Sequence, residues 1–187
     1  NSGLINPENE LDLILLSGSD RQTAMKLIYS QYIRYLTAVC SRYIVDDEDV
    51  KDVLQESFLK IFASLGRFQY RGEGSLKACM SKITINETLK FISRTQRIDY
   101  TRISEETEEI RDSEPDISEI PAAVIHSFIR DLPDGYRLIF NLYAIEGKSH
   151  KEIAGLLGIK ESTSASQLHR AKAILADKIN RYTKHEL

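Results

Sequence analysis

The chain has 187 residues, 42% of them hydrophobic, and a formal charge of −3 at pH 7; this suits one large domain or two small ones with ordinary soluble cores. No apolar run approaches the ~20 residues that span a bilayer, and no signal-peptide pattern opens the sequence, so a cytoplasmic protein is expected. Two cysteines, Cys40 and Cys79, and the scattered His126, His150, His169 and His185 give neither a disulfide framework nor zinc spacing, so reduced, buried thiols and no metal or cofactor are expected.

In chain order, the elements read as helices. Tyr32, Tyr35, Leu36, Val39 and Tyr43 recur at three-and-four spacing, predicting a helix from about Asp20 to about Ile44. The acidic run Asp46-Asp47-Glu48-Asp49 has no calcium-loop spacing, whereas carboxylates at a helix start are stabilised by the dipole, so a cap is expected there. Val50, Val53, Leu54, Phe58, Ile61, Phe62 and Leu65 then form one apolar stripe. A glycine-bracketed loop, Gly66 to Gly74, carries Arg67, Phe68, Tyr70 and Arg71, and Ser75 is expected to cap a helix running to about Arg94. In that helix Leu76, Met80 and Ile83 lead to Glu87, but the apolar face moves to Ile85, Leu89 and Ile92. Asn86 and Glu87 are therefore expected to be exposed beside Lys82 and Lys90.

Residues 98–121 contain Pro115 and Pro121 and no persistent apolar face, which reads as an extended or disordered linker. A second domain starts near Ala122 with Ile125, Phe128, Ile129 and Leu132 on one face, and Pro133-Asp134 restarts a helix bearing Leu138, Ile139, Leu142 and Tyr143. Ser149 and Glu152 form a capping box; Ile153, Leu156 and Leu157 follow, and Gly158 can end that helix in a left-handed conformation. A last helix from about Glu161 to about Tyr182 turns Leu168, Ala171, Leu175 and Ile179 to one side. The fold class expected is all-α: two helical domains, residues 1–97 and 122–187, joined by an acidic flexible linker, with a helix-turn-helix in the second.

Charge separates along these boundaries. Residues 1–97 hold 13 basic and 12 acidic side chains, residues 98–121 hold 2 and 9, and residues 122–187 hold 10 and 7. Lys60 to Arg97 alone carries 8 basic residues against Glu73 and Glu87. Two regions thus suit phosphate and one repels it. Basic residues beside aromatic rings suit single-stranded nucleic acid, where bases stack on rings while cations follow the backbone, and an exposed Asn86 could bond an unstacked base edge. A mobile surface loop on a basic helix fits those residues equally. The helical pair at 149–182 suits the major groove of DNA, with an ordinary helical hairpin as the plainer alternative.

Four segments in order resemble the extracytoplasmic-function sigma factors of bacterial RNA polymerase: DVLQESFLKIFASLGRF (52–68), GSLKACMSKITINETLKFIS (74–93), DLPDGYRLIFNLYAIEGKSHKEIAGLLGI (131–159) and STSASQLHRAKAIL (162–175). The resemblance extends from about Ala24 to about Lys178 apart from the linker. It implies that residues 1–97 are sigma region two and 122–187 region four, and that the chain lends promoter recognition to a polymerase without being an enzyme itself. Asp52, Gln55, Glu56 and Lys60 match the helix that docks on the β′ clamp helices. Phe68, Tyr70 and Arg71, with Lys82, Asn86 and Lys90 on the next helix, match the part that opens the −10 element and captures a flipped base. Lys160, Glu161, Ser162, Thr163, Ser164, Ser166, Gln167 and Arg170 match the part that reads the −35 element, in a domain that also rests on the β flap. The partners implied are core polymerase, promoter DNA and an anti-sigma protein, often membrane-anchored, with no small-molecule substrate. Family linkers thread the polymerase channel; here the −7 charge of the linker could mimic nucleic acid or simply keep a spacer solvated.

The chain departs from the family pattern in two regions. Cys79 stands where a tryptophan is usual. Ala165 and Gln167 replace basic residues and Ser164 an aliphatic one, leaving Lys160, Arg170 and Lys172 as the main cations; Gln167 could instead pair with adenine. A stand-alone helix-turn-helix regulator would leave the loop and basic helix without a purpose, and an adaptor that never reads DNA would leave two basic regions unexplained. For an enzyme there is no nucleophile motif, and Arg71-Gly72-Glu73-Gly74 is too short and acidic to cradle phosphate.

Overall fold

A computed structural model describes residues 9–96, 98–100 and 115–185, and the regular elements among them are helical. The chain divides into two compact units, Asn1–Gln96 and Arg97–Leu187.

The N-terminal unit opens with a helix the periodicity did not announce, α1 (Glu10–Ser19), capped by the Asn9 carboxamide, whose oxygen accepts from the Leu11 N–H at 2.8 Å. Then come α2 (Arg21–Ser41), started by Asp20, and α3 (Asp47–Ser64). Asp46 accepts from the Glu48 and Asp49 N–H groups at 2.9 and 3.1 Å, so the acidic run serves as a helix cap. A 3₁₀ turn, Leu65–Arg67, leads into the loop before α4 (Ser75–Thr95). α1 lies against α2, while α2, α3 and α4 pack on one another. Leu13, Ile28, Leu36, Val39, Phe58, Ile61, Leu76, Met80 and Ile92 are buried between them.

Ser75 does not cap α4, as the sequence suggested. The N-cap position is Gly74, which offers no side chain, and Ser75 is the first helical residue, its hydroxyl donating back to the Gly72 carbonyl at 2.6 Å. The free amides at the start of α4 go elsewhere: the Leu76 and Lys77 N–H groups donate to Glu10 Oε2 and Oε1, both at 2.9 Å.

In the C-terminal unit α5 (Ala122–Arg130), α6 (Asp134–Phe140), α7 (His150–Leu157) and α8 (Glu161–His185) follow in order, with one π-helical turn at Asn141–Ile145 extending α6. α8 is the spine, touching α5, α6 and α7. Leu132, Tyr136, Ala171 and Leu175 form a buried cluster bordered by Phe128, Ile129, Phe140 and Ile174. The buried Arg137 donates to the Arg130 and Leu132 carbonyls at 3.1 and 2.7 Å and to Asp134, closing the end of α5 with one side chain.

The linker begins later than its composition implied. Ile98 and Tyr100 are half-buried in the C-terminal unit. A Cβ at Gly135 would stand 3.1 Å from Ile98 Cγ2 and 3.5 Å from Tyr100 Cδ1, so this strap passes close over residue 135. Burial, with the Asp134 carboxylate second, pushes the Tyr100 phenol up to about 12. Residues 101–114, on which the expectation of a charge-mimicking strand chiefly falls, lie outside the described residues.

Candidate nucleic-acid interface

In the N-terminal unit the loop before α4 is held at both ends by its own backbone. Phe68 N–H donates to the Leu65 carbonyl at 3.2 Å, Ser75 N–H to the Gly72 carbonyl at 3.2 Å, and Arg71 N–H to Ser75 Oγ at 3.3 Å. Phe68 and Tyr70 are half-buried, whereas Arg67 and Arg71 are exposed. Ser64, Arg67, Phe68, Gln69, Arg71, Ser75 and Cys79 line an open cleft of about 480 Å³. A ring, two guanidinium groups and two hydroxyls around such a cleft can hold a planar heterocycle by stacking and its phosphate by charge. Burial, then the Glu73 and Glu10 carboxylates, raises the Tyr70 phenol above its ordinary range, so at neutral pH it keeps its proton as a donor.

Cys79 is partly exposed in the wall of this cleft, so it is not the buried thiol expected. Burial raises its pKa despite the nearby Lys82, and the thiol form is therefore the neutral-pH form. Cys40 is buried, and its thiol is raised for the same reason.

Lys82, Asn86 and Lys90 follow one another at four-residue spacing on α4, and all three are exposed. Glu87 is not exposed as expected. Its side chain is only 10% accessible and bridges Lys60 Nζ on α3 at 2.5 Å and Lys90 Nζ at 3.0 Å. Burial would raise this carboxyl, but the two ammonium groups outweigh it and hold the pKa below the ordinary value. The shift of the apolar stripe turns Glu87 to the seam between α3 and α4 and not to solvent.

The four residues assigned to polymerase docking share one face of α3: Asp52, Gln55, Glu56 and Lys60 are exposed while Val53, Leu54, Ser57, Phe58 and Ile61 point inward. Lys60 is also tied to α4 through Glu87. Leu59 was missed. It is 58% exposed in the midst of these polar groups, and its place off the apolar stripe was the available signal.

In the C-terminal unit the capping box is as expected: Glu152 N–H donates to Ser149 Oγ at 3.2 Å and Ser149 N–H to Glu152 Oε2 at 2.8 Å. Gly158, φ +67°, ends α7. The start of α8 departs from expectation. Lys160, Glu161, Ser162 and Ser166 are exposed, and Thr163 and Arg170 are half-buried. Ser164, however, is 0% exposed, its hydroxyl 2.9 Å from His150 Nδ1, and Gln167 is 4% exposed, its Nε2 donating to the Tyr100 carbonyl at 2.6 Å. Neither can reach a base edge. One helical turn separates them from Leu168 and Ala171, so they belong to the inward face; their polarity disguised it. The outward face instead adds Ala165, His169 and Lys172.

Comparisons with known proteins follow the same division. The family model for Sigma-70 region 2 matches residues 28–98 and that for Sigma-70, region 4 matches residues 122–175. The chain is 27% identical over 143 residues to the ECF RNA polymerase sigma factor SigE of Mycolicibacterium smegmatis, a match covering 74% of this chain and 54% of that protein, so the chain spans about half of that relative. It is 23% identical over 181 residues to the RNA polymerase sigma-H factor of Pseudomonas aeruginosa, covering 90% and 93% of the two chains. To the ECF RNA polymerase sigma-E factor of Escherichia coli strain K12 it is 27% identical over 170 residues, covering 84% and 87%. Among solved structures, CnrH in complex with the cytosolic domain of CnrY matches at 22% identity with a TM-score of 0.48, covering 90% of this chain and 96% of that one.

Proposed function

The chain belongs to the sigma-70 family, as an RNA polymerase sigma factor of the extracytoplasmic-function type, and we propose that its two units divide the work of promoter recognition between paired and melted DNA. It directs core polymerase to promoters and contributes no catalytic step of its own. The exposed face of α3, with Asp52, Gln55, Glu56 and Lys60 around Leu59, docks on the β′ clamp helices; the C-terminal unit rests on the β flap. It works in the cytoplasm, and an anti-sigma protein is the partner that silences it.

The −10 element is opened at the loop and α4. Unstacking costs a mean of about 1.4 kcal/mol per base-pair step. Stacking a released base on an aromatic ring returns about 1–3 kcal/mol, so a few well-placed captures decide whether melting proceeds. The observation that carries this reading is the row Lys82, Asn86 and Lys90, exposed at four-residue spacing on the helix whose first turns border the cleft of Phe68 and Arg71. Cations track the strand while the carboxamide meets a base edge available only after melting. On the duplex side, the outward face of α8, from Lys160 through Ser162 and Ser166 to His169, with Arg170 and Lys172, reads the −35 element.

Asn86→Ala tests the division. It is expected to lower open-complex formation by roughly tenfold, as loss of one base-specific hydrogen-bond pair does, and to leave holoenzyme binding to a duplex that cannot melt within about twofold. Equal losses on both templates would remove the base-capture role.

A further inference from the structure

α4 carries the −10 row, yet its own sequence cannot finish its first turn. A helix start leaves its first amides without intrahelical partners, and Gly74, at φ +87°, supplies no side-chain acceptor. The accounting closes only with a residue from another helix. Ser75 N–H goes to the Gly72 carbonyl and Ala78 N–H to the Gly74 carbonyl, while Leu76 and Lys77 donate to the two oxygens of Glu10. Glu10 is 2% exposed, and Tyr32 Oη on α2 donates to its Oε1 at 3.4 Å. A buried carboxylate at the positive end of a helix dipole, accepting two backbone N–H bonds, is a firm anchor.

From this we infer that Glu10 is a positioning residue for strand opening: as a helix cap delivered in trans from α1, it sets where the loop of Phe68, Tyr70 and Arg71 joins α4. The inference rests on the base-capture reading above. Glu10 is too buried to meet DNA, so it acts only through the loop. Two further contacts fix the same end of α4 to α2: Lys77 Nζ lies 4.2 Å from the centre of the Tyr35 ring, and Tyr35 Oη is 2.9 Å from Ser81 Oγ. Neither reaches the amides of the first turn, so removing Glu10 frees the loop junction while leaving the middle of α4 in place.

The test uses the full chain assembled with core polymerase and four proteins: wild type, Glu10→Ala, Glu10→Gln and Val39→Ala. Val39 is buried in α2 and serves as a destabilised control away from the loop. Three quantities are read: affinity for core, binding to an unmeltable duplex promoter, and the fluorescence of 2-aminopurine placed in the −10 element. Glu10→Ala is expected to reduce opening by about fivefold to tenfold while core and duplex affinities stay within about twofold. Glu10→Gln, whose single carbonyl oxygen can accept one of the two bonds, is expected to fall between. Val39→Ala, measured well below its melting temperature, is expected to open like wild type. Unchanged opening in Glu10→Ala, or an equal loss in Val39→Ala, overturns the inference. Asn86→Ala, run alongside, separates the two ideas: if it opens like wild type the base-capture reading falls, whereas the positioning role of Glu10 is judged on its own variants.

Discussion

Gln167 spends its side chain inside the C-terminal unit, where its amide holds the backbone of Tyr100 to α8. Gln167→Ala should therefore lower the unfolding free energy of that unit by about 1–2 kcal/mol, the cost of a lost buried hydrogen bond and an orphaned acceptor, and leave the preferred −35 sequence unchanged. Urea denaturation and selection from a randomised promoter pool check the two halves. His169→Ala should do the reverse, altering preference at one position and hardly moving stability. Arg170→Ala should lower the salt slope of duplex binding by about one unit for every sequence if its guanidinium meets phosphate; an unchanged slope would assign it to the protein's own surface. At this scale the sequence disclosed the outward row of α4, because Lys82, Asn86 and Lys90 repeat every four residues. It concealed the inward pair Ser164 and Gln167, because the helical period placed them correctly but their polar character argued for solvent. What satisfies them, His150 and the Tyr100 carbonyl, is distant in sequence and carries no local mark.

Between elements, the seam of α3 and α4 depends on one carboxylate. Glu87 is held below its ordinary pKa by Lys60 and Lys90, so its contribution is fully present above the ordinary value of 4.5 and is lost as pH falls through the lowered folded value. The stability difference between wild type and Glu87→Gln should be largest near neutrality and shrink as denaturation is repeated toward pH 3; a constant difference would show that the lysines do not hold it. In the other unit α8 is the shared wall, and truncating Leu175 to Ala should cost about 2–5 kcal/mol. Helices with one apolar stripe or a capping box were legible: α2, α3 and α7 follow from them. α1 was not, because Leu11, Leu13, Ile14, Leu15 and Leu16 crowd all sides and leave no single face to recognise. The π-helical turn was equally silent; it begins at the buried Asn141, whose amide donates to the Arg137 carbonyl at 2.9 Å.

Along the chain, charge is partitioned: the anionic stretch separates the basic segment Lys60–Arg97 from a C-terminal unit with more basic than acidic side chains. If those carboxylates discourage indiscriminate binding, changing Glu105, Glu106, Glu108 and Glu109 to Gln should tighten binding of the free chain to random DNA by about threefold to tenfold at low salt and far less at physiological ionic strength. Filter binding across a salt series measures it.

Glu10 and Leu76 stand 66 positions apart. On the ribosome, at about 5–20 residues per second, α1 emerges several seconds before the amides it must grip have been joined to the chain. The capped start of α4 is therefore completed late within the N-terminal unit, and pulse-labelled hydrogen exchange should find the Leu76 and Lys77 amides protected only once α1 has docked on that helix. A half-made chain could carry α2 and α3 and still lack the cap that starts α4.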